Sequence, residues 1–191
     1  MELTISLIYG SVRSDRQGII VARYLEGKLK ERGLNVHFID PMKYQLPLLD
    51  KMYKEYKSGT APEIMEKLAN LLNASDGFLM VTGEYNHSIP PALKNLLDHF
   101  QKEYHFKPSA IASYSAGSFG GVRAAVHLRV ILGELGMPAI SSMLPFPVIS
   151  DLFDNNLVPQ KRIESSTARF LDEFIWYMEA FKNQRQMGVP Y

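Results

Sequence analysis

Three short polar segments, rich in glycine and hydroxyl side chains, carry the candidate chemistry of this 191-residue chain. The first, Gly10-Ser11-Val12-Arg13-Ser14-Asp15-Arg16-Gln17-Gly18, lies between an apolar run and residues at helical spacing. A helix start presents N–H groups that lack partners, together with the positive end of the helix dipole, and both favour a phosphate. Ser11 and Ser14 can donate to such an anion, and Arg13 or Arg16 can neutralise it. The segment is neither of the common nucleotide signatures, having no Gly-Lys-Ser/Thr ending and no Gly-x-Gly-x-x-Gly. The same residues also read as a plain strand-to-helix turn capped by Ser or Asp.

The second segment is Thr82-Gly83-Glu84-Tyr85-Asn86-His87-Ser88, just before Pro90 and Pro91. Tyr85 can stack on a flat heteroaromatic ring while backbone N–H groups and the Asn86 amide meet its polar edge. Alternatively, Tyr85 packs locally and Ser88 caps the next helix. The third, Ser115-Ala116-Gly117-Ser118-Phe119-Gly120-Gly121-Val122-Arg123, brings three glycines in five residues. They permit close backbone approach to a ligand, or serve only positive φ and tight packing. Arg123 would stand in the first turn of a helix against its dipole, which calls for a carboxylate, a ligand or a partner chain nearby.

Alternating periods predict the elements that hold these loops. Leu3–Tyr9, Val36–Ile39, Phe78–Val81, Ser109–Tyr114 and Ala139–Leu144 read as strands. Between and after them, helical faces are carried by Gly18, Ala22, Leu25 and Leu29; by Ile64, Leu68, Leu71 and Leu72; by Leu93, Leu96, Leu97 and Phe100; by Gly121, Ala125, Leu128, Leu132 and Leu135; and by Ile163 to Phe181. Asp40 to Ala61 has no clear period. Strand and helix alternate five times, so an α/β fold is expected: a doubly wound, five-stranded parallel sheet in the order 2-1-3-4-5 with helices on both faces, forming one domain over residues 1–191. Such sheets bind ligands beyond the carboxyl ends of their strands, where the three segments lie.

Composition removes several classes. With 21 basic and 20 acidic residues the formal charge is +1, so no net field draws the chain to nucleic acid or an anionic membrane. Leu3–Tyr9 lacks the positive flank and cleavage site of a signal peptide, and Leu135–Ser150 is broken by three prolines, so no membrane partner and a cytoplasmic protein are expected. There is no cysteine, no His-Glu-x-x-His among five histidines and no Gly-x-Ser-x-Gly, so neither a metal site nor a nucleophile elbow is predicted.

Taken together, Gly10-Ser11-x-Arg13, Glu84-Tyr85-Asn86-x-Ser88-x-Pro90 with Leu93-Lys94-Asn95 and Asp98, and Ser115-x-Gly117-x-x-Gly120-Gly121-x-Arg123 resemble the NADPH-dependent FMN reductase family of flavodoxin-like proteins, from about Leu3 to Leu144. The resemblance implies a noncovalent FMN, with NADPH or NADH as co-substrate and ping-pong hydride transfer onward to a small-molecule acceptor such as a quinone, a flavin, an azo compound or a metal oxyanion. It implies no catalytic side chain. By it, Ser11, Arg13, Gln17, Gly18 and Ile19 hold the phosphate; Glu84, Tyr85, Asn86 and His87 hold the ring; and Ser115, Gly117 and Ser118 meet its other edge. It further implies a homodimer or a dimer of dimers, with the Pro90–Phe100 and Gly121–Leu135 helices at the contact. Two departures stand out: the family commonly has proline at Gly83, which predicts a looser ring-binding loop, and often Ser or Thr at Gln17. The competing function is a flavodoxin-type FMN electron carrier for a protein partner, disfavoured by the near-neutral charge.

Overall fold

A computed structural model describes residues 2–154 and 158–191. Five strands, β1 (Thr4–Tyr9), β2 (Asn35–Ile39), β3 (Gly77–Gly83), β4 (Ser109–Tyr114) and β5 (Ala139–Phe146), form one parallel sheet in the order β2-β1-β3-β4-β5. This is the expected flavodoxin-like order, and its reversal point lies between β1 and β3. Five helices alternate with the strands: α1 (Ile19–Glu31), α2 (Glu63–Ala74), α3 (Pro91–Asp98), α4 (Val122–Glu134) and α5 (Lys161–Gln186).

The sheet buries both faces, so every residue of β3 and β4 is buried without alternation. On one face Ile5, Leu7, Leu79 and Ala112 pack with Leu25 and Leu29 of α1 and Phe170 and Phe174 of α5. On the other, Ile8, Phe78, Met80 and Ile111 pack with Leu68, Leu97 and Leu128 from α2, α3 and α4. Helix α3 starts at Pro91, whose missing N–H costs nothing in a first turn. Among the described residues, no helix is long and apolar enough to cross a membrane.

The aperiodic stretch after β2 is a strap fixed across α3. Asn95 accepts from the Leu49 N–H at 2.9 Å and donates to the Pro47 carbonyl at 2.8 Å. Tyr53 donates its N–H to the His99 carbonyl and its hydroxyl to Glu66, which pushes the phenol up to about 12.

At the opposite end of the sheet, Lys107 is buried and donates to the carbonyls of Leu72, Asn73 and Glu103. Two of these close the C-terminal end of α2, where an ammonium is favoured. Lys107→Met leaves the three acceptors without their donor and is expected to cost about 2–4 kcal/mol, read by urea unfolding. Burial lowers the Lys107 pKa to about 8. The unfolded chain keeps that proton up to about pH 10.4. Wild-type stability therefore gains from Lys107 as pH rises from 8 toward 10.4, a gain the methionine variant lacks.

Candidate functional site

The carboxyl ends of β1, β3 and β4 open onto a cavity of about 310 Å³. Ser11, buried at the exit of β1, sets its Oγ 2.8 Å from the Tyr85 hydroxyl and 3.4 Å from the Arg13 N–H. The backbone N–H groups of residues 14, 15, 17 and 18 have no hydrogen-bond partner among the described residues, that of Arg16 closes a turn over Ser14–Asp15, and the N-cap of α1, Gly18, supplies no side chain. Capping by Ser or Asp, the alternative reading of this loop, is not what forms. Asp15, Gln17 and Gly18, whose N–H groups stay uncommitted, line the cavity instead.

The two arginines of this loop divide. Arg13 is exposed, with its side chain 65% accessible, and meets only the equally open Asp15 at 3.4 Å. Arg16 forms a two-pronged pair with Asp40 at 2.5 and 2.8 Å, both side chains largely covered, and this pairing holds the guanidinium pKa above its ordinary value. Arg16 ties the loop to the end of β2, whereas Arg13 is free to turn onto a ligand.

Tyr114 of β4 lines the cavity and is backed by Tyr9 of β1. The Tyr9 and Tyr114 rings stack with centroids 6.3 Å apart, and the Tyr114 hydroxyl donates to that of Tyr9 at 3.2 Å. Burial pushes both phenols up. A Cβ on Gly18 would sit 2.0 Å from the Tyr114 ring, and one on Gly83 would sit 3.0 Å from it. This accounts for glycine at 83, because any side chain there would meet Tyr114. The looser loop expected from Gly83 does not form, since Gly83 is the buried last residue of β3, paired with Tyr114.

Beyond Gly83 the chain makes a tight turn. Tyr85 and Ser88 exchange N–H···O bonds at 2.9 and 3.0 Å, with Asn86 and His87 at positive φ between them, as a type I′ turn requires. Ser88 does not cap α3, whose N-cap is Pro90. Glu84 accepts from the N–H groups of Arg123 and Ala124 at 3.2 and 3.4 Å and lies 3.6 Å from the Arg123 guanidinium. The carboxylate that Arg123 called for is therefore Glu84, which offsets the arginine at the positive end of α4 and ties the second loop to the third.

Of the residues expected at the site, Ser11, Arg13, Gln17, Gly18, Glu84, Tyr85 and Ser115 line the cavity. Ile19, Asn86, His87, Gly117 and Ser118 do not. Ile19 packs inward on the core, and the other four stand exposed at loop tips. The sequence did not single out Asp15, Gly83, Tyr114, Ala116 or Ile149 as binding residues, and all five line it; Arg16, offered by the sequence as the alternative to Arg13, lines it as well but is held by Asp40. Tyr114 had a signal, a large polar aromatic at the end of a buried strand. Ile149 had none, because it arrives from beyond β5 through its N–H bond to the Ser115 carbonyl.

Comparison with known proteins gives this cavity a context. The chain is 27% identical over 180 residues to an NAD(P)H-dependent FMN reductase of Saccharomyces cerevisiae, covering 85% of this chain and 91% of that protein. It is 33% identical over 135 residues to a quinone reductase of Escherichia coli K12, covering 69% of this chain and 70% of that one. Its fold superposes on a flavoenzyme NAD(P)H:(acceptor) oxidoreductase from Paracoccus denitrificans with a TM-score of 0.77 at 25% identity, covering 94% and 98% of the two chains. Residues 3–148, which include all three loops, match the family described as NADPH-dependent FMN reductase. The chain belongs to the NADPH-dependent FMN reductase family and is an oxidoreductase.

Proposed function

We propose that this protein binds FMN noncovalently in the cavity at the ends of β1, β3 and β4 and uses NAD(P)H to reduce a small acceptor, with a quinone as the first candidate. The observation that carries the reading is the set of uncommitted N–H groups at Asp15, Gln17 and Gly18, which line the cavity together with Ser11 and the exposed Arg13. Uncommitted N–H groups, a hydroxyl and an exposed guanidinium are the donor set a phosphate dianion needs. The donors therefore fit the cofactor, and the Gly117 backbone, with no atom within 4 Å of where a Cβ would stand, leaves room at the far rim.

Bound there, FMN would supply the redox chemistry that links NAD(P)H to the acceptor in a ping-pong cycle. The chain's part is to hold and polarise. Ser11, Arg13 and Gln17 hold the phosphate, with Gly18 and Ile19 carrying the helix start. Glu84 and Tyr85, which line the cavity, border one side of the ring, with Asn86 and His87 outside it at the loop tip. Ser115 borders the other, with Gly117 and Ser118 outside it. Backbone N–H groups of the second and third loops stabilise negative charge on the ring, a preorganised role that requires no catalytic base.

The homodimer expected for such a protein is proposed through α4, where Val126 and Val130 stand exposed one turn apart. Sedimentation at micromolar concentration should give twice the chain mass, and a monomer would remove this part of the reading. The function itself is tested by titrating apoprotein into FMN and then adding NADPH or NADH under anaerobic conditions. Quenched flavin fluorescence followed by bleaching of the yellow complex is expected. Unquenched fluorescence, or a complex that neither nicotinamide bleaches, would reject it.

A further inference from the structure

A second cavity, about 400 Å³, lies on the other side of the segment that follows β5. Its floor is apolar, made by Leu144 of the edge strand β5 and by Leu152, Ile163 and Phe170. Its rim carries Arg162 and Arg169 of α5. These two are seven residues apart, so they share one face of the helix roughly 10 Å apart along its axis.

The charges of α5 are segregated in a way that singles this pair out. Glu164 lies 3.8 Å from Lys28 and Asp172 lies 3.3 Å from Arg32, both on the α1 side. Glu173 accepts from the Ser141 and Ser142 hydroxyls, which hold its carboxyl below the usual range. The neighbouring acids are thus engaged elsewhere, and among the described residues Arg162 and Arg169 have no acidic partner. Two unneutralised guanidiniums above an apolar floor match a flat ring that carries two separated phosphates.

We propose that this cavity receives the adenosine 2′-phosphate and diphosphate portion of NADPH, with the purine on the apolar floor and Arg162 and Arg169 on the two phosphate positions. This deepens the oxidoreductase reading and rests on it, since it selects NADPH over NADH as the reductant. The two cavities share a wall: Pro147 lines this one, and Ile149, two residues on, lines the cofactor cavity. That wall is anchored by the Val148 N–H on the Gly117 carbonyl at 3.1 Å and the Ile149 N–H on the Ser115 carbonyl at 3.2 Å. A dinucleotide held here by its adenosine end can extend across the wall toward the flavin site.

The test is calorimetric titration of the protein, with and without FMN, by 2′,5′-ADP, 5′-AMP and inorganic phosphate at physiological ionic strength. 2′,5′-ADP should bind about ten-fold or more tightly than 5′-AMP and far more tightly than phosphate, and R162A/R169A should lose about ten-fold or more of that affinity. R162K/R169K should recover part of it. Equal affinity for 2′,5′-ADP and 5′-AMP, phosphate binding as tight as 2′,5′-ADP, or an unaffected double variant would each overturn the assignment. The ligand contains neither flavin nor nicotinamide. Failure here is therefore distinct from failure of the FMN reading, which shows as absent FMN uptake.

Discussion

Arg13→Ala is expected to weaken FMN binding by about 10- to 100-fold while leaving the unfolding midpoint almost unmoved. The guanidinium is exposed and its one ion pair, with Asp15, is open to solvent on both sides. Such a pair contributes at most about 1 kcal/mol, so the fold loses little. A charge-assisted bond to a phosphate is worth about 1.5–3 kcal/mol, which converts to the stated loss of affinity. Arg16→Ala should behave in the opposite sense. It strips the covered Asp40 of its two-pronged partner and lowers stability, because a covered carboxylate left alone is costly. Fluorescence quenching by FMN and thermal unfolding, run on both variants, separate the roles. An Arg13→Ala protein that holds FMN as tightly as wild type would remove Arg13 from the site.

Gly121→Ala should destabilise the protein by about 3 kcal/mol or more and loosen the third loop with it. Gly121 sits at φ 75°, a region that costs a side chain about 1–2 kcal/mol. Its Cβ would also stand 2.7 Å from the Tyr114 carbonyl oxygen and 3.1 Å from the Tyr114 nitrogen. Those are backbone atoms of a buried strand and cannot swing aside, so strain adds to the conformational cost. Because Tyr114 floors the cavity and Ser115 lines it, FMN affinity should fall as well. Gly117→Ala is the control, since nothing lies within 4 Å of that position. Urea unfolding should place it within about 0.5 kcal/mol of wild type. A Gly121→Ala protein as stable as that control would refute the close approach.

The fold was readable because its signals are local. Apolar runs ending at Gly10 and after Val81 can only be buried strands, and the period of Leu25, Leu29, Leu68 and Leu72 fixes which helix faces turn inward. The site was partly readable for the same reason. Ser11, Arg13, Tyr85 and Ser115 leave strands that end on one edge, so position along the chain sufficed to bring them together. Ser88 and the loop-one caps show where local reasoning stopped, as each was a sound capping residue that the folded chain did not use.

What the amino-acid order determined by itself is the alternation of elements, the burial of the sheet and the presence of three donor-rich loops at its carboxyl edge. Each follows from the spacing of apolar residues and from the backbone freedom of glycine. Only the tertiary structure decided that Arg16 belongs to Asp40 while Arg13 stays free, that Glu84 serves α4, and that Gly18 and Gly83 are bare to admit Tyr114. Those outcomes depend on distances between residues 24 to 96 positions apart. No periodicity along a chain encodes such distances, because they arise when strands from distant segments pair and their exit loops compete for the same space.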